Sequence, residues 1–309
     1  MPFSSAPTRR RGSRLIPARW PIRYYEAGRL VYEGMRFAHR LLWALFTTLT
    51  IAECAPPPGD LAVDTSYALA TTNPTVNEPV FVEFTIHNWL SEGVVSELAM
   101  NYHGYGGFWG KITRPDGQTD EGPKVHPSEL VAIERVSIAP SESSSKILLV
   151  NKWFDFDEPG RYVLEVGIKK PLRTESGVKV TERASGRLII EVGPRDPVRL
   201  EKICARLERE ILASPGASSA AAEEALTHIK DPVAVPFLAH LLQAQDGKLA
   251  YVYAAALEHI ADGPAIDALS DFVNDKSEDR RESARSSLDR IARRSDDLAI
   301  KRKIAEALR

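Results

Sequence analysis

Cysteine is nearly absent from this chain: among 309 residues there are two, Cys54 and Cys204. That excludes a disulfide scaffold and a zinc site built from cysteines. Cys204 lies in an apolar helical pattern beside Ile203 and Leu207 and reads as a buried, inert thiol. The seven histidines include no His-Glu-x-x-His pair, so zinc-hydrolase chemistry has no support. Ser128, Ser141, Ser143, Ser144 and Ser145 stand in no nucleophile elbow. The glycine-rich stretch 101–110 lacks the lysine and the following helix of a phosphate-binding loop. No catalytic residue and no cofactor or metal ligand set is therefore expected.

Excess positive charge is also missing from most of the chain. Residues 1–54 carry nine Arg against three Glu, a net of +6, while the remainder carries 31 basic and 39 acidic side chains, a net of -8. A nucleic-acid binder needs its basic patch on the folded part, so no nucleic-acid partner is expected. A basic head on an acidic body has the charge profile of an export signal.

Long apolar runs are equally scarce. The uncharged segment Leu41–Ala52 would rise about 18 Å as a helix, against a hydrocarbon core of about 30 Å. It fits a signal-peptide h-region with Arg36, His39 and Arg40 as its basic flank. A buried core helix is the alternative. Residues 1–54 are thus read as a basic segment and signal peptide (h-region 41–52), with translation starting at Met1 or Met35. A Pro-rich linker follows at 55–60. Ala52-Glu53-Cys54 suits cleavage by a signal peptidase; Cys54 as a lipidated cysteine is the alternative, with Glu53 ill-suited to a lipobox. The expected localisation is export to a periplasmic or extracellular space, with the membrane reached only through a lipid anchor at Cys54.

Residues 61–194 alternate with period two. Val80, Val82, Phe84 and Ile86 share one face, as do Tyr162, Leu164, Val166 and Ile168; Leu188, Ile190 and Val192 repeat the pattern. Less regular runs occur at 61–69, 94–100, 108–113, 130–138 and 146–150. Arg114-Pro115-Asp116-Gly117 and Glu158-Pro159-Gly160 supply tight turns. Seven to nine short strands without intervening helical pattern predict an antiparallel sandwich. The run Trp153–Leu164, with Pro159-Gly160 and Tyr162, resembles the corner of bacterial immunoglobulin-like domains, which implies that fold and no function.

Residues 197–309 carry a repeat. Ala225-Leu226-Thr227-His228-Ile229-Lys230-Asp231 reads against Ala256-Leu257-Glu258-His259-Ile260-Ala261-Asp262 at an offset of 31. Leu226, Leu257 and Leu288 continue it, as do Ile229, Ile260 and Ile291, and then Leu207, Leu238, Leu269 and Ile300. Two helices per period predict a solenoid of helical hairpins, with helices near 197–213, 217–230, 233–244, 249–261, 264–274, 279–293 and 296–308. The unit resembles a HEAT-like repeat of the phycobilisome-lyase-associated kind, which implies a protein-interaction surface. The third unit departs from it, with Asp289-Arg290 in place of Glu258-His259 and Arg293 in place of the Asp. The expected fold class is multidomain: an immunoglobulin-like β-sandwich followed by a short α-solenoid.

Three features are candidates for function. Asn101–Gly110 sets four aromatics among four glycines, so Tyr102, His103, Tyr105 and Trp109 could line a ligand platform; the alternative is a glycine bulge with its aromatics in the core. His228 and His259 could stack as a metal-binding pair or mark a repeated structural position. Arg280, Arg281, Arg285, Arg290, Arg293 and Arg294 are interleaved with acids and read as a solvated face. The leading expectation is an exported, non-enzymatic cell-envelope scaffold that binds a protein partner through its helical repeats. The alternative is a ligand-binding or protease-inhibitor-like module acting through the β part.

Overall fold

The computed structural model describes residues 63–100, 107–122, 132–180, 185–213, 219–245 and 247–309. The expectations placed on residues 1–54, on Cys54, on the linker 55–60 and on Tyr102, His103 and Tyr105 lie outside the described residues.

Among the described residues ten strands come first: β1 (Val63–Leu69), β2 (Phe81–Asn88), β3 (Val94–Met100), β4 (Phe108–Thr113), β5 (Thr119–Gly122), β6 (Ala132–Ile138), β7 (Ser143–Leu149), β8 (Gly160–Ile168), β9 (Arg173–Thr174) and β10 (Ser185–Val192). Seven α-helices follow among them: α1 (Pro197–Ala213), α2 (Ala220–Thr227), α3 (Val235–Ala244), α4 (Lys248–Ile260), α5 (Gly263–Ser270), α6 (Glu278–Arg294) and α7 (Leu298–Ala307). Single 3-10 turns occur at Val150–Lys152 and Pro232–Ala234.

The expected fold class is corrected here. The strands form three small antiparallel sheets, ordered β1-β2-β7, β10-β8-β4-β5 and β6-β3-β9. Strands and helices together make one compact unit from Asp60 to Arg309. The molecule is a mixed α and β protein, not an immunoglobulin-like sandwich followed by a separate solenoid. Alternation fixes which residues face inward but not which strand a strand pairs with, because pairing is non-local. β5 and the two-residue β9 carry too short a pattern to be seen, and β9 belongs to the third sheet.

The inward faces fill two clusters in the β part. Phe84, Ile86, Phe108 and Leu148 centre one, and Ile112, Tyr162, Leu164 and Ile190 the other. The Phe84 and Phe108 rings meet edge-on at 5.0 Å. Tyr162 is buried, yet its hydroxyl donates to the Glu158 carbonyl at 3.0 Å, which satisfies the polar tip of a core aromatic.

A third cluster lies among the helices, and Phe81 at the start of β2 packs against it. The recurring positions fall into this core. Leu226, Leu257, Leu288, Ile229, Ile291, Leu207, Leu238 and Leu269 are buried, and Ile260 and Ile300 pack against it half-buried. Helix starts are capped locally: the Asp231 carboxylate accepts from the Val233 amide, Asp262 from Ala265 and Asp297 from Ala299.

Cys204 is fully buried. Burial pushes its thiol up to about 12, with the nearby Asp231 charge adding to the effect. Peptide-resolved alkylation should therefore label Cys204 only at the rate of unfolding; rapid labelling under native conditions would contradict its placement. Ser141 holds φ 62° in the exposed turn into β7. Ser141→Gly relieves that left-handed strain without removing packing, and thermal denaturation should show a gain of about 0.5–1 kcal/mol.

Candidate functional site

The β part and the helices are joined by buried charge. Asp231 and Glu78 are each 1% exposed. Arg195, in the link between β10 and α1, grips Asp231 with two bonds, Nε to Oδ2 at 2.7 Å and Nη2 to Oδ1 at 2.8 Å. The Asn77 amide donates to the same carboxylate at 3.1 Å from the loop before β2. Asn77 takes φ 67°, a left-handed conformation that asparagine tolerates better than most residues. One residue on, Glu78 meets Arg199 of α1 at 2.7 Å and accepts from the Thr75 hydroxyl at 2.8 Å. Burial raises the Asp231 pKa, but the Arg195, Val233 and Asn77 hydrogen bonds outweigh it and hold the carboxyl at about 2.

Two further ion pairs cross the same seam. Lys152 binds Glu224 of α2, and Lys230 binds Asp155 at 2.6 Å. Beyond them the outer face of α2, α4 and α6 begins, where positions 31 apart sit on successive helices. His228, at the C-terminal end of α2, donates from Nδ1 to the Glu224 carbonyl at 2.8 Å, which fixes its tautomer. His259 follows on α4 and Arg290 on α6. Desolvation lowers the pKa of both imidazoles; Lys152 and His259 add to this at His228, and Lys230, Arg294 and Arg290 at His259. The two histidines are therefore electrostatic neighbours. No group of three or more possible metal ligands occurs among the described residues.

Glu258 anchors the far end of this face. It is 5% exposed and holds two arginines of α6, Arg290 Nε at 2.7 Å and Arg294 Nη2 at 2.8 Å. Arg290 also donates to Ser286 and Ser287 at 2.6 and 3.1 Å, and its guanidinium stands 5.9 Å from the centroid of the Tyr251 ring. Tyr251, on α4, is half-exposed at 50%. The result is an aromatic ring and a guanidinium held side by side, with the countercharge beneath them.

Sequence reading takes the whole arginine run as one solvated face, and the structure divides it. Arg280 binds the Asp275 carboxylate at 2.9 Å, Arg281 donates to the Asp275 carbonyl at 2.9 Å, and Arg285 donates to the Val273 carbonyl at 2.9 Å. These three tie down the turn after α5. Arg290 and Arg294 build the face just described, while Arg293 is largely solvated. Tyr251 carries no signal in the sequence beyond being an aromatic at an outward helical position.

Trp109 lies half-buried on β4, paired with Gly167 of β8. Its neighbour Gly110 has a packing role, since a side chain there would meet the Phe154 ring at 3.1 Å. At the described end of the aromatic stretch, glycine therefore makes room for a core phenylalanine. Of the four proposed ligand contacts, Trp109 alone can be placed.

No family model and no curated protein matches this sequence. Likenesses to solved structures exist at low level. A sporulation control protein from Bacillus subtilis is 10% identical, covering 47% of this chain and 55% of its own, with a TM-score of 0.25. A β-glucosidase from Listeria innocua is 15% identical over 42% of this chain and 16% of its own, at 0.23. A CARDB domain from Pyrococcus furiosus, solved with di-metal ions, is 14% identical over 44% and 94%, at 0.23. Likeness at this level fixes neither fold nor function.

The seam makes a pH prediction. The folded Asp231 carboxyl sits near 2 against an ordinary 3.8, so its contribution of about 2 kcal/mol is complete above pH 4 and lost as pH falls toward 2. Chemical denaturation across pH 2–6 should show this acid limb in the native protein. It should be flatter in Asp231→Asn, which also starts less stable at pH 7; an unchanged limb would contradict the assignment.

Proposed function

We propose that this protein is an exported, non-enzymatic scaffold of the cell envelope that binds a protein partner through the outer face of α2, α4 and α6. The observation that carries the reading is the Tyr251–Arg290 pair. Tyrosine and arginine are enriched where binding energy concentrates, and side chains fixed before binding lose little entropy on association. Here Glu258, Ser286 and Ser287 fix Arg290, and Tyr251 is open to solvent. The face carries no nucleophile paired with a base, and the one thiol among the described residues, Cys204, is buried.

Export is supported by residues 1–54, with their net charge of +6 and the uncharged run 41–52. No helix among the described residues is long and apolar enough to cross a membrane. In this reading the β part holds the helical face at a set orientation, and the seam around Asp231 is what keeps it there.

A photo-crosslinking residue at position 251 in the exported protein should capture one reproducible partner. The same residue at exposed Arg187, on β10 of the β part, should not. Arg290→Glu reverses the charge beside the ring and should cut capture at least tenfold with the fold intact by circular dichroism. Equal capture from both positions, or no effect of the reversal, would sink the proposal.

A further inference from the structure

The 31-residue repeat brings two histidines to the region where the helices meet the β part. His228 closes α2, and His259 holds the equivalent position on α4. His228 is half-buried and His259 is exposed. Glu224, one turn before His228, holds two groups at once. Its carbonyl accepts from His228 Nδ1 at 2.8 Å, and its carboxylate binds Lys152, whose side chain is only 4% exposed. The imidazole therefore lies on the turn of α2 that Lys152 clamps to the β part. Lys230, two residues further on, makes a second clamp, on Asp155.

Charge around the two rings is lopsided. At His228 stand Lys152 from the turn after β7, Glu224 from α2 and His259 from α4. At His259 stand Lys230 from the segment after α2, Glu258 from α4, and Arg290 and Arg294 from α6. Glu224 holds Lys152, Asp155 holds Lys230, and Glu258 holds both arginines. With neutral imidazoles, four cations meet three carboxylates. Two imidazolium ions would make it six cations against the same three.

Burial holds both imidazoles below their ordinary 6.5 and the cations add to it, while Glu224 at His228 and Glu258 at His259 oppose it only in part. Above pH 6.5 the rings are neutral whether α2 is docked or free, so the docked arrangement keeps its full stability. Below that pH a freed imidazole takes up a proton more readily than a docked one, and stability is lost. The Asp231 carboxyl, held at about 2, stays charged through this range.

We propose that His228 and His259 form an acid-operated release for α2: on mild acidification the two charged rings oppose Lys152 and Lys230, both clamps loosen, and α2 leaves the β part while the Asp231 seam stays closed. His259, the more open ring, takes the first proton, and its charge then acts on His228, so the two titrate as a coupled pair. The device works whatever binds the outer face.

Hydrogen exchange on the full chain at pH 7.5 and pH 5.5, with the intrinsic rate divided out, tests it. Each histidine can raise the open population by up to about tenfold per pH unit, so amides 224–228 should lose at least tenfold in protection at pH 5.5 while those of β8 keep theirs. His228→Gln, whose amide can still donate to the Glu224 carbonyl, and His259→Gln should each shrink the loss, and the double variant should abolish it. Imidazole resonances of the unsubstituted protein give a reading that needs no variant to fold: both rings should titrate below the ordinary histidine range. Unchanged protection at pH 5.5, a loss that survives the double substitution, a loss shared equally by β8, or ordinary titration of both rings would overturn the proposal.

Discussion

The structure depends on one buried carboxylate. Asp231 ends the segment after α2, caps the 3-10 turn that leads into α3, receives both arms of Arg195 and accepts from Asn77. Those partners come from the loop before β2, the link after β10 and the helical part itself. A carboxylate removed from water is costly unless every lone pair is used. Here the available donors use them, and the arrangement is satisfied only when strands and helices sit in one relative position. Glu78, one residue from Asn77, repeats the device with Arg199. Two modules joined by a flexible link would have no need of either.

That rigidity bears on what the helical face can do. Tyr251 and His259 lie on α4 and Arg290 on α6, and Lys152 and Lys230 reach the same region through ion pairs that cross the seam. A partner docking there would meet a surface whose parts do not move against each other, so its affinity need not offset the ordering of two domains.

Local features of the fold are largely legible in the sequence and their assembly is not. The period of 31 places Leu226, Leu257 and Leu288 in one core because helical periodicity and burial are short-range properties. Alternation likewise marks β2, β8 and β10. The pairing of β3 with β9, the entry of Phe81 into the helical core and the union of the described elements in one unit depend on contacts between distant residues, which no window of sequence contains. The candidate site divides the same way. His228 and His259 stand out by repetition, whereas Tyr251 and Arg290 acquire meaning only once α4 and α6 are side by side. Asn77 and Asp231 are 154 residues apart, and nothing local links them.

The central claim is that strands and helices fold as one unit through Asp231. Two probes in one urea titration test it most directly. With Trp20 and Trp43 replaced by Phe, Trp89, Trp109 and Trp153 report on the β part by fluorescence, and ellipticity at the helical minimum reports on α1–α7. The two transitions should coincide in the native protein and separate in Asp231→Ala, with the helices unfolding at lower urea. Separate transitions in the native protein, or coincident ones in the variant, would contradict the account.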